Sequence, residues 1–249
     1  MWRYVLAALV ALAGVPAVPA HAQFGTEASA SRQGFAFPKD GPVRILVFRP
    51  DVRVGEQSTG GLNEPNADWT QAARTNIADA LDHSPMTAGA EIKPMPEPEG
   101  EDGAVFADYR ALFRAVVDAV VQHKLFAGNR LPTKKADFNW TLGPGIARLG
   151  QLGGGDYGLF LYTFDSYGSG GRKAAQVLGL LMGAYIPSGM HIGYAGLVDL
   201  RTGELVWINA DLKMGGDVRE ADGAAKRVAQ LLEDFPRRAG AQPTVTVVK

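Results

Sequence analysis

The residues best suited to binding chemistry follow a nearly continuous apolar run. Tyr157–Phe164 is followed at once by Asp165 and by the glycine-rich segment 166–171. Open α/β sheets bind ligands at the carboxyl ends of their strands. We therefore predict a partner-binding site formed by four polar residues: Asp165, Ser169, Arg172 and Lys173. A flexible exit from the strand is the simpler interpretation of the same glycines.

The same segment is also the best candidate for catalysis. A hydrolase would need Asp165, Ser169 and a distant histidine such as His191 within hydrogen-bond reach. A phosphate-binding loop is excluded because its glycine-lysine-serine/threonine sequence is absent, and Tyr167 stands where a nucleophile elbow requires glycine. We therefore assign no catalytic residue and predict a protein without enzymatic activity.

Metal and cofactor binding have no sequence pattern to support them. The four histidines lack the HExxH spacing of a zinc site, and the acidic segment 97–102 lacks the spacing of a calcium loop. The segment 143–145 lacks the third glycine of a dinucleotide-binding loop. We predict no metal and no cofactor.

Charge and cysteine content exclude two classes of protein. The net charge is −1 over 249 residues, so there is no basic field to hold nucleic acid. Cysteine is absent, so we expect neither disulfides nor direct lipid anchoring through a cysteine thiol. Stability must therefore come from core burial, which this length permits.

The first 22 residues have the pattern of a secretory signal peptide. Arg3 supplies a positive charge, residues 4–18 are almost entirely apolar, and Ala20-His21-Ala22 is a small-x-small cleavage sequence. We predict cleavage after Ala22, a periplasmic location and a flexible leader over residues 23–42.

The remaining periodicity predicts one α/β domain over residues 43–236, with helices packed on a mixed sheet. Helix 1 should run from a cap at Asn66 or Asp68 to His83, after a mobile loop at 55–66. For the C-terminal tail, residues 237–249, an added edge strand is one possibility, and this point stays open. The expected strands are 43–48, 90–95, 157–164 and a late hairpin at about 191–213. The other expected helices are 108–124, 142–152, 172–185 and a C-terminal helix at 220–235.

Residues 174–198 contain no Asp, Glu, Lys or Arg. One interpretation is a buried helix followed by a central strand, and the other is contact with a membrane. Pro187, Ser188 and five glycines argue against a single spanning helix. Both interpretations stay open.

The hairpin carries a family resemblance. Val198-Asp199-Leu200-Arg201-Thr202-Gly203-Glu204 resembles the phrase that marks a hairpin in the curli-secretion lipoproteins, the penicillin-binding-protein activator lipoproteins and the N-terminal domain of TolB. The resemblance implies a bacterial envelope protein. It also implies a structural role in the hairpin for four residues: Asp199, Thr202, Gly203 and Glu204. Those relatives are commonly lipid-anchored, whereas Gln23 would be the first mature residue here.

Together these observations predict a non-enzymatic periplasmic protein that binds an envelope protein partner in assembly or secretion. Its contact surfaces would be the loops 55–66 and 165–173. Two alternatives remain: an outer-membrane-inserted oligomer or pore component using residues 174–200, and a hydrolase near Asp165 and Ser169. A homo-oligomer is also left open, and nucleic acid is not an expected partner.

Overall fold

One mixed sheet runs through the computed structural model, which describes residues 26–87, 89–125, 130–134, 137–187 and 189–240. The predicted signal peptide and most of the tail lie outside these residues. The strands are β1 (Glu27–Ser31), β2 (Arg44–Val47), β3 (Asp51–Gln57), β4 (Asn63–Pro65), β5 (Glu91–Pro94), β6 (Tyr157–Gly168), β7 (Gly189–Asp199) and β8 (Leu205–Asp211). The α-helices are α1 (Ala67–Asp82), α2 (Gly100–Val120), α3 (Ala147–Gly153), α4 (Gly170–Leu181) and α5 (Ala221–Leu231).

The long strand β6 organises the sheet, whose main order is β1-β8-β7-β6-β2-β5. It pairs antiparallel with β7 over nearly its whole length. Its other edge is shared by two parallel strands, β2 beside Tyr157–Leu159 and β3 beside Tyr162–Gly168. The predicted mixed sheet with packed helices is therefore confirmed.

Helices cover both faces of the sheet. Leu159 and Leu161 of β6 pack in the same core cluster as Ile77 of α1 and Val228 of α5. Residues of β6 with the opposite parity, such as Phe160, face the cluster of α2 and α3. The predicted burial of this strand on both faces is confirmed, and it explains why its sequence is apolar without alternation.

Helix α1 follows its sequence pattern closely. The side chain of Asn66 accepts a 3.0 Å hydrogen bond from the backbone N–H of Trp69, so Asn66 is the cap. Ala73, Ile77 and Leu81 are buried, and the helix ends at His83 as predicted. This helix packs against β3 and α5.

The prediction of a loop over residues 55–66 is wrong for half of that segment. β3 and β4 form a small antiparallel hairpin there, with Gly55 opposite Pro65. The overlooked signal is the alternation of Val52 and Val54, which are buried, with the exposed Arg53. Only the turn at 58–62 remains as a connecting loop.

The leader predicted to be flexible over residues 23–42 contains a strand. β1 pairs antiparallel with β8, from Glu27 opposite Asp211 to Ser31 opposite Trp207. The small and polar side chains of β1 do not show the apolar pattern of a strand. An edge strand is held by backbone hydrogen bonds and needs little apolar burial.

The edge strand β1 carries a carboxyl group that opposes its docking at neutral pH. Burial, and then the neighbouring carboxylates of Glu233 and Asp211, raise the pKa of Glu27 from 4.5 to about 7. Because the pKa of Glu27 is higher in the folded state than in the unfolded state, its contribution to the free energy of folding is most favourable below pH 4.5. This favourable contribution is lost as the pH rises through about 7.

We expect Glu27→Gln to increase amide hydrogen-exchange protection across β1 at pH 8 and to change it little at pH 4. Solvent screening of this exposed group limits the effect to about 1 kcal/mol or less. Glu64→Gln, on the exposed strand β4, is the matched control. Equal protection of wild type and Glu27→Gln at pH 8 would contradict the prediction.

The late hairpin of β7 and β8 is confirmed, and four residues of the phrase lie in or beside its turn. The carboxylate of Asp199 accepts a 2.9 Å hydrogen bond from the backbone N–H of Arg201. The hydroxyl of Thr202 accepts one from the N–H of Glu204, 3.3 Å away. Gly203 has φ +77°, a left-handed conformation that favours glycine. The side chain of Glu204 forms an ion pair with Arg32.

Candidate functional site

Asp165 is the centre of a buried charge cluster on β6. Its side chain and that of Arg227 on α5 are both fully buried. Arg227 donates to both carboxylate oxygens, at 2.7 and 2.8 Å. Thr163 and His191 complete the cluster at 2.7 Å each. Because a carboxylate only accepts hydrogen bonds, Nδ1 of His191 carries a proton here.

These donors determine the ionisation of Asp165. Burial raises the pKa of the carboxyl group, but hydrogen bonds from His191, Arg227 and Thr163 outweigh it and hold the pKa below 3.8. Each carboxylate oxygen already accepts two hydrogen bonds, so little acceptor capacity remains for a substrate proton. The cluster joins β6, β7 and α5. The predicted place of Asp165 on a partner-binding surface is thereby corrected, because a fully buried side chain cannot contact a partner.

Ser169 does not join this cluster. Its hydroxyl accepts a 3.1 Å hydrogen bond from the backbone N–H of Arg172 and caps α4. Among the described residues it makes no hydrogen bond to a histidine, while His191 is directed to Asp165 and packs near Tyr167. The hydrolase alternative therefore lacks the contact between nucleophile and base that it requires.

The structure does bring the two predicted contact segments together. The backbone N–H of Ser169 donates to the carbonyl of Gln57, at 2.9 Å. The guanidinium of Arg172 reaches the carbonyl oxygens of Thr59 at 3.4 Å and Pro187 at 2.8 Å. Arg172 is itself buried, so Lys173 is the one exposed member of the four predicted site residues.

Helix α4, which follows directly, has its large apolar residues turned outward. Arg172 and Gly179 are the buried residues of the helix, and Gly179 lies against Ala184 and Ile186 of the segment that follows it. Six large side chains of α4 and the turn after it are between 58% and 85% exposed. They are Val177, Leu178, Leu180, Leu181, Met182 and Tyr185, called the α4 surface below. A contiguous exposed apolar patch is typical of an interaction site.

Residues 174–198 therefore divide into two parts. The β7 residues 193–198 are buried core, as one interpretation held. The helical part is not core, which corrects that interpretation for residues 177–185. Among the described helices, none combines the length and hydropathy needed to cross a membrane.

A second charged cluster lies beside the end of β6. The guanidinium of Arg219 lies between the rings of Trp69 and Tyr167, 4.4 and 3.9 Å from their centroids. Its hydrogen bond to Asp217 lowers the pKa of that carboxyl group to about 2. The cluster connects α1 to the loop before α5, and the side chain of the stacked arginine is 26% exposed.

Sequence reasoning missed the arginines of both clusters. Arg227 lies on the inward face of α5, among the buried residues Ala224, Val228 and Leu231. An arginine at such a position is rarely buried unless it is paired, and that pattern is the signal that indicates a buried partner. Arg219 has no comparable signal, because it lies in a loop.

Within the described part of the chain, no group of three or more His, Cys, Asp or Glu side chains is arranged to hold a metal ion. The end of β6 thus combines two features of this α/β protein. The buried charge cluster joins β6, β7 and α5, and the helix that follows exposes its apolar side chains.

Comparison with known proteins gives only distant likenesses. No family model and no curated protein matches the sequence. The PelC dodecamer from Paraburkholderia phytofirmans is similar at a TM-score of 0.37 and 12% identity, covering 86% of this chain and 99% of PelC. Lipoprotein GNA1162 from Neisseria meningitidis is similar at 0.27 and 17%, covering 68% and 78%. At these TM-scores the likenesses carry no argument about function, and the family suggested by the hairpin phrase stays a prediction.

Proposed function

We propose that this chain is a non-enzymatic protein of the bacterial cell envelope that binds a protein partner through the α4 surface. The observation that carries the proposal is the outward direction of the large apolar side chains of α4. The predicted signal peptide supports the compartment. The structural use of Asp165, which leaves the segment without a catalytic constellation, supports a binding role over an enzymatic one.

The composition of α4 favours a protein groove over a lipid surface as its partner. A helix that lies in a membrane interface carries Lys and Arg along its polar face. α4 has its two basic residues in the first turn, and one of them, Arg172, is buried. Burying one Leu or Val fully contributes about 1.5–3 kcal/mol, so several α4 residues together can anchor a complex.

The second candidate is a membrane-associated oligomer that uses the same surface. The specific observation in its favour is the absence of charge over residues 174–198, of which the helical part is exposed. In this candidate a second copy of the chain or the acyl region of a bilayer would cover α4. The same experiment distinguishes the candidates.

The test is site-specific photo-crosslinking in intact cells of the source bacterium. A photoreactive amino acid replaces Leu181 on α4, and the control replaces Leu152 on α3, which is also substantially exposed. We expect one defined protein adduct from position 181, identified by mass spectrometry, and none from 152. An adduct at twice the chain mass, or flotation with lipid vesicles without a protein adduct, would favour the second candidate. No adduct and no flotation would contradict both.

The α4 surface also gives a mutational prediction. With the photoreactive residue at position 177, we expect Leu178→Glu combined with Leu181→Glu to reduce the adduct yield at least about tenfold, because each carboxylate would have to be desolvated in the complex. Both side chains are mostly exposed, so the Tm should change little. Leu112→Glu, on the exposed side of α2, is the control. An undiminished adduct in the double variant would exclude α4 as the contact.

A further inference from the structure

An open cavity of about 330 Å³ lies between the start of β3 and one flank of α2. Ala107, Arg110, Ala111 and Arg114 follow the helical i, i+3, i+4, i+7 spacing and form one wall. Asp51 and Arg53, two residues apart on β3, point to the same side and form the other wall. The short side chains of the two alanines leave the space between the arginines open.

The lining is strongly cationic. Three guanidiniums oppose the one carboxylate of Asp51, which leaves two positive charges at neutral pH. Glu97 contacts both Arg49 and Arg110. Asp118 lies one helical turn beyond Arg114, so nearby carboxylates offset part of this charge. Such a lining attracts anions, and the low-dielectric walls of a cleft strengthen the attraction.

Most of the hydrogen-bonding capacity of the three arginines is unused among the described residues. A guanidinium carries five N–H donors. The contacts to Asp51 are long, at 3.4 Å from Nε of Arg53 and 3.6 Å from Nη1 of Arg114. Arg110 makes one 3.2 Å contact, to Glu97. The carboxylates therefore orient the guanidiniums without satisfying them.

Arg114 is positioned before any ligand arrives, whereas the side chain of Arg53 is 56% exposed. The guanidinium of Arg114 lies 4.4 Å from the ring centroid of Tyr162 on β6. Asp51, whose side chain is only 16% exposed, contacts both Arg53 and Arg114. Since the residues stand on a strand and a long helix, their backbone positions are fixed before a ligand binds, which lowers the ordering cost of binding.

We propose that this cavity binds the phosphate group of a phosphoryl-bearing ligand. A carboxylate is planar and is satisfied by one bidentate arginine. Three guanidiniums that approach from two secondary-structure elements require an anion with oxygens in several directions, which is the geometry of phosphate. The lining keeps a net positive charge, which favours a phosphate anion. The open mouth leaves room for the remainder of the ligand, either a lipid or a free molecule.

The test measures phosphate binding to the full chain by isothermal titration calorimetry, with acetate at equal ionic strength as the competing carboxylate probe. We expect phosphate to bind and acetate not to compete. Arg53→Gln combined with Arg110→Gln should weaken phosphate binding at least about tenfold, since hydrogen bonds to charged groups are the strong ones. Arg201→Gln, which removes an exposed arginine of the β7–β8 turn, is the control and should bind as the wild type does.

A second arm identifies the source of the phosphate. Vesicles of phosphatidylglycerol in phosphatidylcholine are compared with vesicles of phosphatidylcholine alone in a flotation assay. Flotation that depends on Arg53 and Arg110 indicates a lipid headgroup, while binding of inorganic phosphate without flotation indicates a free phosphorylated ligand. The proposal is overturned if neither probe binds, if acetate competes as well as phosphate, or if the double variant binds as tightly as the Arg201→Gln control. Thermal unfolding of each variant verifies that it is folded.

Discussion

Replacing Arg227 with methionine is expected to lower the free energy of unfolding by about 3–5 kcal/mol, because it leaves the charge of Asp165 buried without its main partner. Both side chains are fully buried and joined by two hydrogen bonds of 2.7 and 2.8 Å. Methionine retains much of the length and volume of arginine, so the loss measures the missing charge more than a cavity. Urea denaturation followed by circular dichroism gives the value.

The chain offers a matched control on its surface. Arg44 makes the same two-pronged contact to Asp156, at 3.0 and 3.1 Å, but its side chain is half exposed. Exposed pairs contribute about 0–1 kcal/mol, so Arg44→Met should have little effect. If Arg227→Met costs no more than Arg44→Met, the buried cluster does not have the structural role that its geometry indicates.

The pH dependence of the same variant gives an independent check. The pKa of Asp165 is depressed in the folded protein, so its pairing stabilises the fold above the ordinary value of 3.8 and is lost as the pH falls below it. In Arg227→Met the desolvated carboxyl group has lost the two hydrogen bonds and the positive charge of Arg227, and its pKa rises. The stability difference between wild type and variant should therefore narrow as the pH falls below about 4.

Strands and helices were predictable from the sequence where the pattern of apolar residues reflects the burial of the element itself. β6 lies between two layers of helices and is apolar throughout, and α1 shows a cap and a four-residue period. β1 was missed because its position depends on pairing with a distant strand, and pairing by backbone hydrogen bonds leaves little trace in the side chains. β3 was missed although Val52 and Val54 alternate with Arg53, because the alternation spans only three residues.

The candidate site was predicted only in part, for a related reason. The segment from Asp165 to Lys173 was identified from its place after a strand, but the partner of Asp165 stands 62 residues further along the chain. No local pattern connects Asp165 to Arg227. Likewise, hydropathy marked the helix after Ser169 as apolar without indicating which side its residues face. That depends on the tertiary packing of the helix, in which Arg172 and Gly179 are the buried residues.

The turn between β7 and β8 supplies the second large effect. Gly203→Ala is expected to lower the free energy of unfolding by about 2–4 kcal/mol, for two separable reasons. The residue has φ +77°, which costs alanine about 1 kcal/mol. In addition, a Cβ at this position would overlap the backbone carbonyl of Gly143, and a backbone atom cannot move aside as a flexible side chain can.

The overlap matters because the segment around residue 143 is hydrogen-bonded to this turn. The carbonyl oxygen of Gly203 accepts hydrogen bonds from the backbone N–H of Leu142, at 2.8 Å, and from the hydroxyl of Thr141, at 3.0 Å. Relieving the overlap would require the two segments to separate and both bonds to lengthen. Each such bond contributes about 1 kcal/mol, which accounts for the larger part of the expected loss.

Gly34→Ala separates the two causes of the expected loss at Gly203. Gly34 has a similar φ of +72°, but a Cβ there would have no atom within 4 Å outside its immediate chain neighbours. We therefore expect Gly34→Ala to cost only the conformational term, about 1 kcal/mol, and Gly203→Ala to exceed it by at least about 1 kcal/mol. Equal losses in urea denaturation would mean that the contact with Gly143 is readily relieved. The loss of stability in Gly203→Ala would then come from the φ of Gly203 alone, and the hydrogen bonds between the two segments would add nothing to it.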